Sequence, residues 1–202
     1  MKKGKLIVFE GIDGAGTTTH SKRLVERLND TGIPAKWTSQ PRGDSPTGRY
    51  IREVFEGKHG PLPPWQEMAM LFQADREGSY LQIQKWLDEG LIVVSDRYWH
   101  SGVAYQGVSA GADQQVAEEL IRSLNEKKIC PDLLGVLDVP VAVGLSRKNK
   151  APDLFEKGDF LERVRASYHR HWAPFLLSTE NSTTSETAAL VWERVQVLLN
   201  GS

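Results

Sequence analysis

The sequence predicts an α/β fold: a parallel five-stranded sheet between helical layers. Two observations predict it. Short, apolar, β-branched runs alternate along the chain with segments of helical period. The first of these runs ends in a glycine-rich loop that opens a helix, the start of a βαβ unit.

Residues 5–10 (KLIVFE) are a short apolar run stopped by Gly11, the pattern of a strand buried on both faces. Leu24, Val25 and Leu28 then recur at helical spacing within residues 16–29. Gly32 and Pro34 make a turn into a second strand at 35–39. Residues 40–48 (QPRGDSPTG) are expected as loop, followed by a weak helix at 49–56 that ends near Gly57. Pro64 suits a helix start. The longest periodic segment, 65–89, carries Met68, Leu71, Phe72, Leu81 and Leu87 and stops at Gly90. Residues 91–95 (LIVVS) are a central strand ending at Asp96 and Arg97, with a further helix behind them. A helix at 112–126, a fourth strand at 133–139 and helices at 159–173 and 184–199 complete the pattern, with a short last strand at 175–179. Parallel sheets bind ligands beyond the carboxyl ends of their strands. Glu10, Gly11, Ser39, Gln40, Asp96, Arg97 and Asp138 all fall there.

The 202 residues suit one domain, 1–202, with room for a small mobile lobe. The 25 basic and 26 acidic residues leave a net charge of −1, which argues against a nucleic-acid binder that works by neutralising phosphates. The single Cys130 cannot form an internal disulfide. No apolar run approaches the roughly 20 residues of a membrane helix, and the run 6–9 is too short for a signal-peptide core. A cytoplasmic protein acting on small molecules, without membrane or nucleic-acid partners, is the expectation. The five histidines and Cys130 show no zinc-ligand spacing, and no G-x-S-x-G elbow occurs.

Gly11-Ile12-Asp13-Gly14-Ala15-Gly16-Thr17-Thr18 has the frame of a phosphate-binding loop, G-x-x-x-x-G-K-[ST]. Its glycines let successive N–H groups turn toward a phosphate, and the helix behind adds its N-terminal dipole. Thr18 holds the place whose hydroxyl ordinarily ligates Mg²⁺, and Thr19 continues the nucleotide-facing turn. The customary lysine is absent; Thr17 stands in its place. That lysine normally meets the β- and γ-phosphates. A ligand-free turn is the competing reading of the loop taken alone.

Several blocks, in order, resemble the thymidylate kinase family of P-loop nucleoside monophosphate kinases. Residues 9–16 (FEGIDGAG) resemble its phosphate loop, and 71–76 (LFQADR) its L-F-x-A-D-R helix. Residues 96–107 (DRYWHSGVAYQG) resemble its D-R-Y-x-x-S-x-x-A-Y-Q-G segment. The P-D-L…L-D-V…L-x-R and D-F-x-E-R-V-R…Y blocks follow, at 131–147 and 159–168. The match spans about residues 5–170 and lacks the loop lysine.

The resemblance implies transfer of the γ-phosphoryl group of ATP to dTMP, with Mg²⁺, by a homodimer with a mobile lid at about 146–158. It implies that Asp13 accepts a hydrogen bond from the deoxyribose 3′-hydroxyl; local backbone bonding is the alternative. Phe72 and Arg76, four apart on one helix face, would stack on thymine and donate to its O4; Phe72 in the core and Arg76 paired with a nearby acid is the alternative, which spacing alone favours. Arg97 would grip the acceptor phosphate and Asp96 would hold Mg²⁺; an internal Asp–Arg pair that braces the loop is the alternative. Tyr105 would crowd the sugar 2′ position or sit in the core, with Ser101 and Gln106 on the same helix. Many bacterial members carry a base-contacting Asn where this chain has Gly102, so selectivity would rest more on Arg76 and Ser101. Pro41 is shared with the family; Arg42 either reaches the acceptor phosphate or is solvated. Arg147, Lys148 and Lys150 would belong to the lid, and a lid cation is expected to replace the loop's missing charge. Two other readings stay open: a nucleotide-binding relative with little kinase activity, and a kinase for another pyrimidine deoxynucleotide.

Overall fold

The structure, a computed structural model, describes residues 3–147 and 158–201. Five strands form its sheet: β1 (Lys5–Gly11), β2 (Ala35–Ser39), β3 (Ile92–Asp96), β4 (Leu133–Asp138) and β5 (Leu176–Ser178). Their order is β2-β3-β1-β4-β5, and every neighbouring pair is parallel. This is the expected sheet. β1 lies at its centre, and Leu6, Ile7 and Val8 are fully buried. Burying such side chains contributes about 1.5–3 kcal/mol each, which is why this run needs no polar alternation.

The helices are α1 (Thr17–Asp30), α2 (Pro46–Phe55), α3 (Trp65–Asp88), α4 (Trp99–Ser109), α5 (Gln114–Asn125), α6 (Val141–Ser146), α7 (Gly158–Trp172) and α8 (Thr184–Asn200). Helices α1 and α8 pack on each other and on the sheet, while α3, α4, α5 and α7 form a second packed group. A smaller apolar cluster, Ile51, Val54 and Met68, joins α2 to α3. None of the described helices is long and apolar enough to cross a membrane.

Two local differences from expectation have plain causes. Helix α2 starts at Pro46, inside the segment expected as loop. Ser45 caps it, its Oγ accepting from Gly48 N at 2.8 Å, and Pro46 follows as the first helical residue. Helix α6 has six residues, too few to show a period.

Register gathers the site. Ser39 and Phe9 both pair with Asp96, and Gly11 pairs with Leu137. The carboxyl ends of four strands therefore lie side by side, and loops from each converge above them.

Candidate active site

The loop between β1 and α1 turns through three glycines of positive φ: Gly11 at 150°, Gly14 at 80° and Gly16 at 99°. Gly14 is required twice over. Its φ is one that side chains resist, and a Cβ there would come within 2.0 Å of the Gly144 carbonyl oxygen of α6. Gly16 then leads into α1, whose N-terminus has no side-chain cap, leaving its first N–H groups open to an anion.

Two cavities open along the strand ends. One, of about 420 Å³, is lined by α3, α4, the loop after β2 and α2. The other, of about 570 Å³, follows residues 13–20 toward Arg147, Thr179 and the start of α8. They share three residues, Asp13, Thr18 and Arg97.

Arg97 holds this junction. Its φ of 68° lies in the left-handed region, a strain of roughly 1–3 kcal/mol for a residue with a side chain. The surroundings enforce it. Arg97 N donates to Phe9 O at 2.8 Å, Nη1 donates to Gly11 O at 2.7 Å and to Ser101 Oγ at 3.2 Å, and Nη2 donates to Asp13 Oδ1 at 2.6 Å. Burial disfavours its charge, but Tyr105, Asp13, Tyr168 and Glu10 together raise its pKa above the usual arginine value. Arg97 thus pairs with Asp13 across the loop. Its guanidinium also lies 5.2 Å from the Tyr105 ring centre.

Asp96 is 7% exposed, and its Oδ2 accepts from Thr18 Oγ1 at 2.5 Å. Its Oδ1 is buried without a hydrogen-bond partner. A carboxylate with an unmatched oxygen beside a hydroxyl suits a hard cation. No cluster of three or more His, Cys, Asp or Glu surrounds it among the described residues. A cation here would take most of its ligands from phosphate and water, as Mg²⁺ does.

Arg76 lies at the back of the first cavity, 2% exposed, with Nε lacking a hydrogen-bond partner and no ion pair among the described residues. Burial lowers its pKa. An unmatched buried guanidinium is costly unless an acceptor completes it. Phe72 lies beside it, its ring centre 5.5 Å from the guanidinium carbon. Gly102 makes this placement possible, because a Cβ there would stand 2.6 Å from Arg76 Nη2. Gln106, 2% exposed, and Tyr105 line the same cavity.

Glu10, fully buried, organises the wall behind Arg97. It accepts from Tyr98 N at 2.8 Å, from Ser101 N at 3.2 Å, from Ser101 Oγ at 2.5 Å and from Tyr168 Oη at 2.8 Å. Ser101 is therefore engaged by the protein's own carboxylate. Glu10 was legible only as a polar strand end.

Arg42 lies away from the acceptor cavity. Its Nε is 3.3 Å from Asp75 Oδ1, and its guanidinium lies over Gly78 on α3. Its side chain is thus paired with Asp75 and is not among those lining the first cavity. Asp75, 1% exposed, also accepts from Arg42 N and Ser45 Oγ and so fixes the loop that carries Pro41 into the cavity. Arg52 of α2 does face that cavity. It lines the cavity, its Nη2 donating to Pro41 O at 2.5 Å. The sequence signalled this only through the Ser45-Pro46 helix start, which sets the face α2 presents.

In the second cavity Arg147 donates to Thr179 O at 2.8 Å and to Gly14 O at 3.4 Å. Ile12, Ala15 and Gly16 stand in the loop, and Thr17, 6% exposed, and Thr19 lie in the first turn of α1. Lys148 and Lys150 lie outside the described residues, as does most of the lid expected at 146–158.

The fold and the paired cavities define a P-loop nucleotide-binding protein of the kinase type, with a second pocket set against the phosphate loop. Residues 9–189 match the family model of thymidylate kinase. The thymidylate kinase of Pelotomaculum thermopropionicum is 38% identical over 173 residues, 82% of this chain and 79% of that protein. That of Thermomicrobium roseum is 40% identical over 169 residues, 81% and 79% of the two chains. A solved thymidylate kinase structure from Candida albicans has the same fold, with a TM-score of 0.87 at 24% identity, over 99% of this chain and 94% of that one. The chain belongs to the thymidylate kinase family.

Proposed function

We propose that this protein transfers the γ-phosphoryl group of ATP to dTMP, giving dTDP and ADP. One observation carries the reading: the two cavities meet at Asp13, Thr18 and Arg97, where a donor phosphate on the loop and an acceptor phosphate from the other side would come together. An oxygen of the dTMP phosphate attacks the γ-phosphorus while the bond from that phosphorus to the β,γ-bridging oxygen breaks, and ADP leaves with the electron pair. No base is needed, because the monoester is largely ionised near neutral pH. Catalysis is alignment and charge shielding.

In this reading Arg97 and Arg52 hold the acceptor phosphate, and the strained, pre-set guanidinium of Arg97 keeps the two phosphates in line. Asp13 holds Arg97 and accepts from the sugar 3′-hydroxyl. Arg76 donates to a carbonyl oxygen of the base, which Phe72 stacks against, and Tyr105 faces the sugar. The loop amides and Arg147 bind ATP. Thr18 and Asp96 would hold Mg²⁺, which when bound offsets charge on the donor phosphates. A homodimer is part of the same proposal.

A coupled assay with magnesium–ATP and a panel of monophosphates tests it. Turnover should be fastest with dTMP. ATP binding without turnover would identify a non-catalytic relative, and preference for a different pyrimidine would reassign the substrate.

A further inference from the structure

We propose that Lys22 carries toward the nucleotide phosphates the positive charge that the loop lacks at Thr17. The inference rests on the kinase reading and deepens it. Two carboxylates, Asp13 and Asp96, already line the junction, and a triphosphate beside a monophosphate adds more negative charge. The residue at position 17 has a short neutral side chain, 6% exposed, and can supply no compensation.

The other described cations nearby are each held in place by the protein. Arg97 spans Gly11 O and Asp13, Arg147 is bonded to Thr179 O and Gly14 O, Arg52 is bonded to Pro41 O, and Arg76 is buried at the base end. Lys22 differs. Among the described residues its ammonium has no carboxylate partner and rests 4.9 Å from the Trp37 ring centre, a weak contact that a phosphate would outbid. Lys22 follows Thr18 by four residues on α1, so the two share a face. Helical side chains lean toward the helix N-terminus, so its stem runs back toward Thr18 and the loop. It lines the first cavity with Asp96, beside Thr18 and Arg97 of the junction, and not the second, so it would approach the γ-phosphate from the acceptor side. A lysine is a compact charge on a flexible stem, so it can leave the indole for a phosphate without disturbing the fold. The charge would thus come from the second turn of the helix instead of from the loop.

A double-mutant cycle tests this, read by calorimetric affinity for magnesium–ATP and by kcat. Lys22→Gln should weaken ATP binding or lower kcat about tenfold in the natural loop. In a Thr17→Lys background the same change should cost less than about twofold, because the supplied lysine takes over the role. Lys22→Arg should retain most of the function, with an unchanged melting temperature in all variants. Wild-type values in Lys22→Gln would overturn the proposal, as would equal losses in the two backgrounds. If Thr17→Lys binds no ATP, the comparison of Lys22→Gln with Lys22→Arg decides: equal values in that pair overturn it. Absence of dTMP turnover in the wild type would count against the kinase reading alone, since ATP affinity still reports on Lys22.

Discussion

Arg97 Nη2 donates to Asp13 Oδ1 at 2.6 Å, joining the end of β3 to the phosphate loop after β1. That pair puts a carboxylate in a loop built for anions and gives it a partner. It also fixes a guanidinium whose backbone is strained, so the cation is in place before a phosphate arrives.

Asp13→Asn should therefore act on the acceptor side. We expect kcat/KM for dTMP to fall about 10- to 100-fold with little change in ATP affinity. Arg97→Ala should be more severe. The double variant should lose less than the product of the single losses, because the residues act as one unit. Strictly multiplicative losses, measured by steady-state kinetics, would contradict the pairing.

The metal reading concerns Thr18 and Asp96. Chelation should abolish turnover in the wild type. Thr18→Ala and Asp96→Asn should each raise the magnesium concentration needed for half-maximal rate by about tenfold. A magnesium titration that matches the wild type in both variants would show that the orphan oxygen of Asp96 serves something else.

Position 102 tests the base site. Gly102→Ala puts a methyl where Arg76 Nη2 now lies, 2.6 Å away, and must displace the guanidinium. The KM for dTMP should rise about tenfold, equivalent to roughly 1.4 kcal/mol, while that for ATP stays the same. An unaltered KM for dTMP would show that Arg76 does not touch the base.

Arg42 and Arg52 can be separated. Arg52→Ala should raise the KM for dTMP about tenfold with little change in stability. Arg42→Ala should lower the melting temperature, at a cost of about 1 kcal/mol, because it removes a partner from the buried Asp75. Kinetics and thermal unfolding on the same two proteins check the assignment, and reversed effects would restore Arg42 to the site.

Glu10 gives a pH dependence. Burial raises its pKa, but His100, Ser101 and Arg97 more than reverse this, so it titrates below the ordinary carboxylate range when folded. A group whose pKa is depressed by folding contributes stability above its unfolded pKa and loses it as pH falls through the folded value. Glu10→Gln should be less stable than wild type at neutral pH by roughly 1–3 kcal/mol. The gap should narrow in acid, below the ordinary carboxylate range. A gap that stays constant or widens in melting curves down to pH 3 would assign the acid sensitivity to other groups.

How much was legible depended on the range of each interaction. The five strands and the loop at 11–18 follow from local pattern, because a buried strand must be apolar and a phosphate turn must be glycine-rich; the places of Asp13, Phe72, Arg76, Asp96 and Arg97 follow from motif blocks. Which arginine beside Pro41 lines the cavity is not legible: Arg52 does, while Arg42 pairs with Asp75. Backbone geometry decides it: Ser45 and Pro46 start α2 early, and Asp75 pulls Arg42 onto α3.

The sequence by itself determined that this chain builds a parallel sheet with a lysine-free phosphate loop, since periodicity and glycine spacing act over a few residues. Only the tertiary structure decided that Asp13 meets Arg97 across 84 positions, that Glu10 grips Ser101 and Tyr168, and that Gly102 makes space for Arg76. Those contacts join residues far apart in the chain, and directional hydrogen bonds and steric fit select them only after the sheet has set the distances between its strand ends.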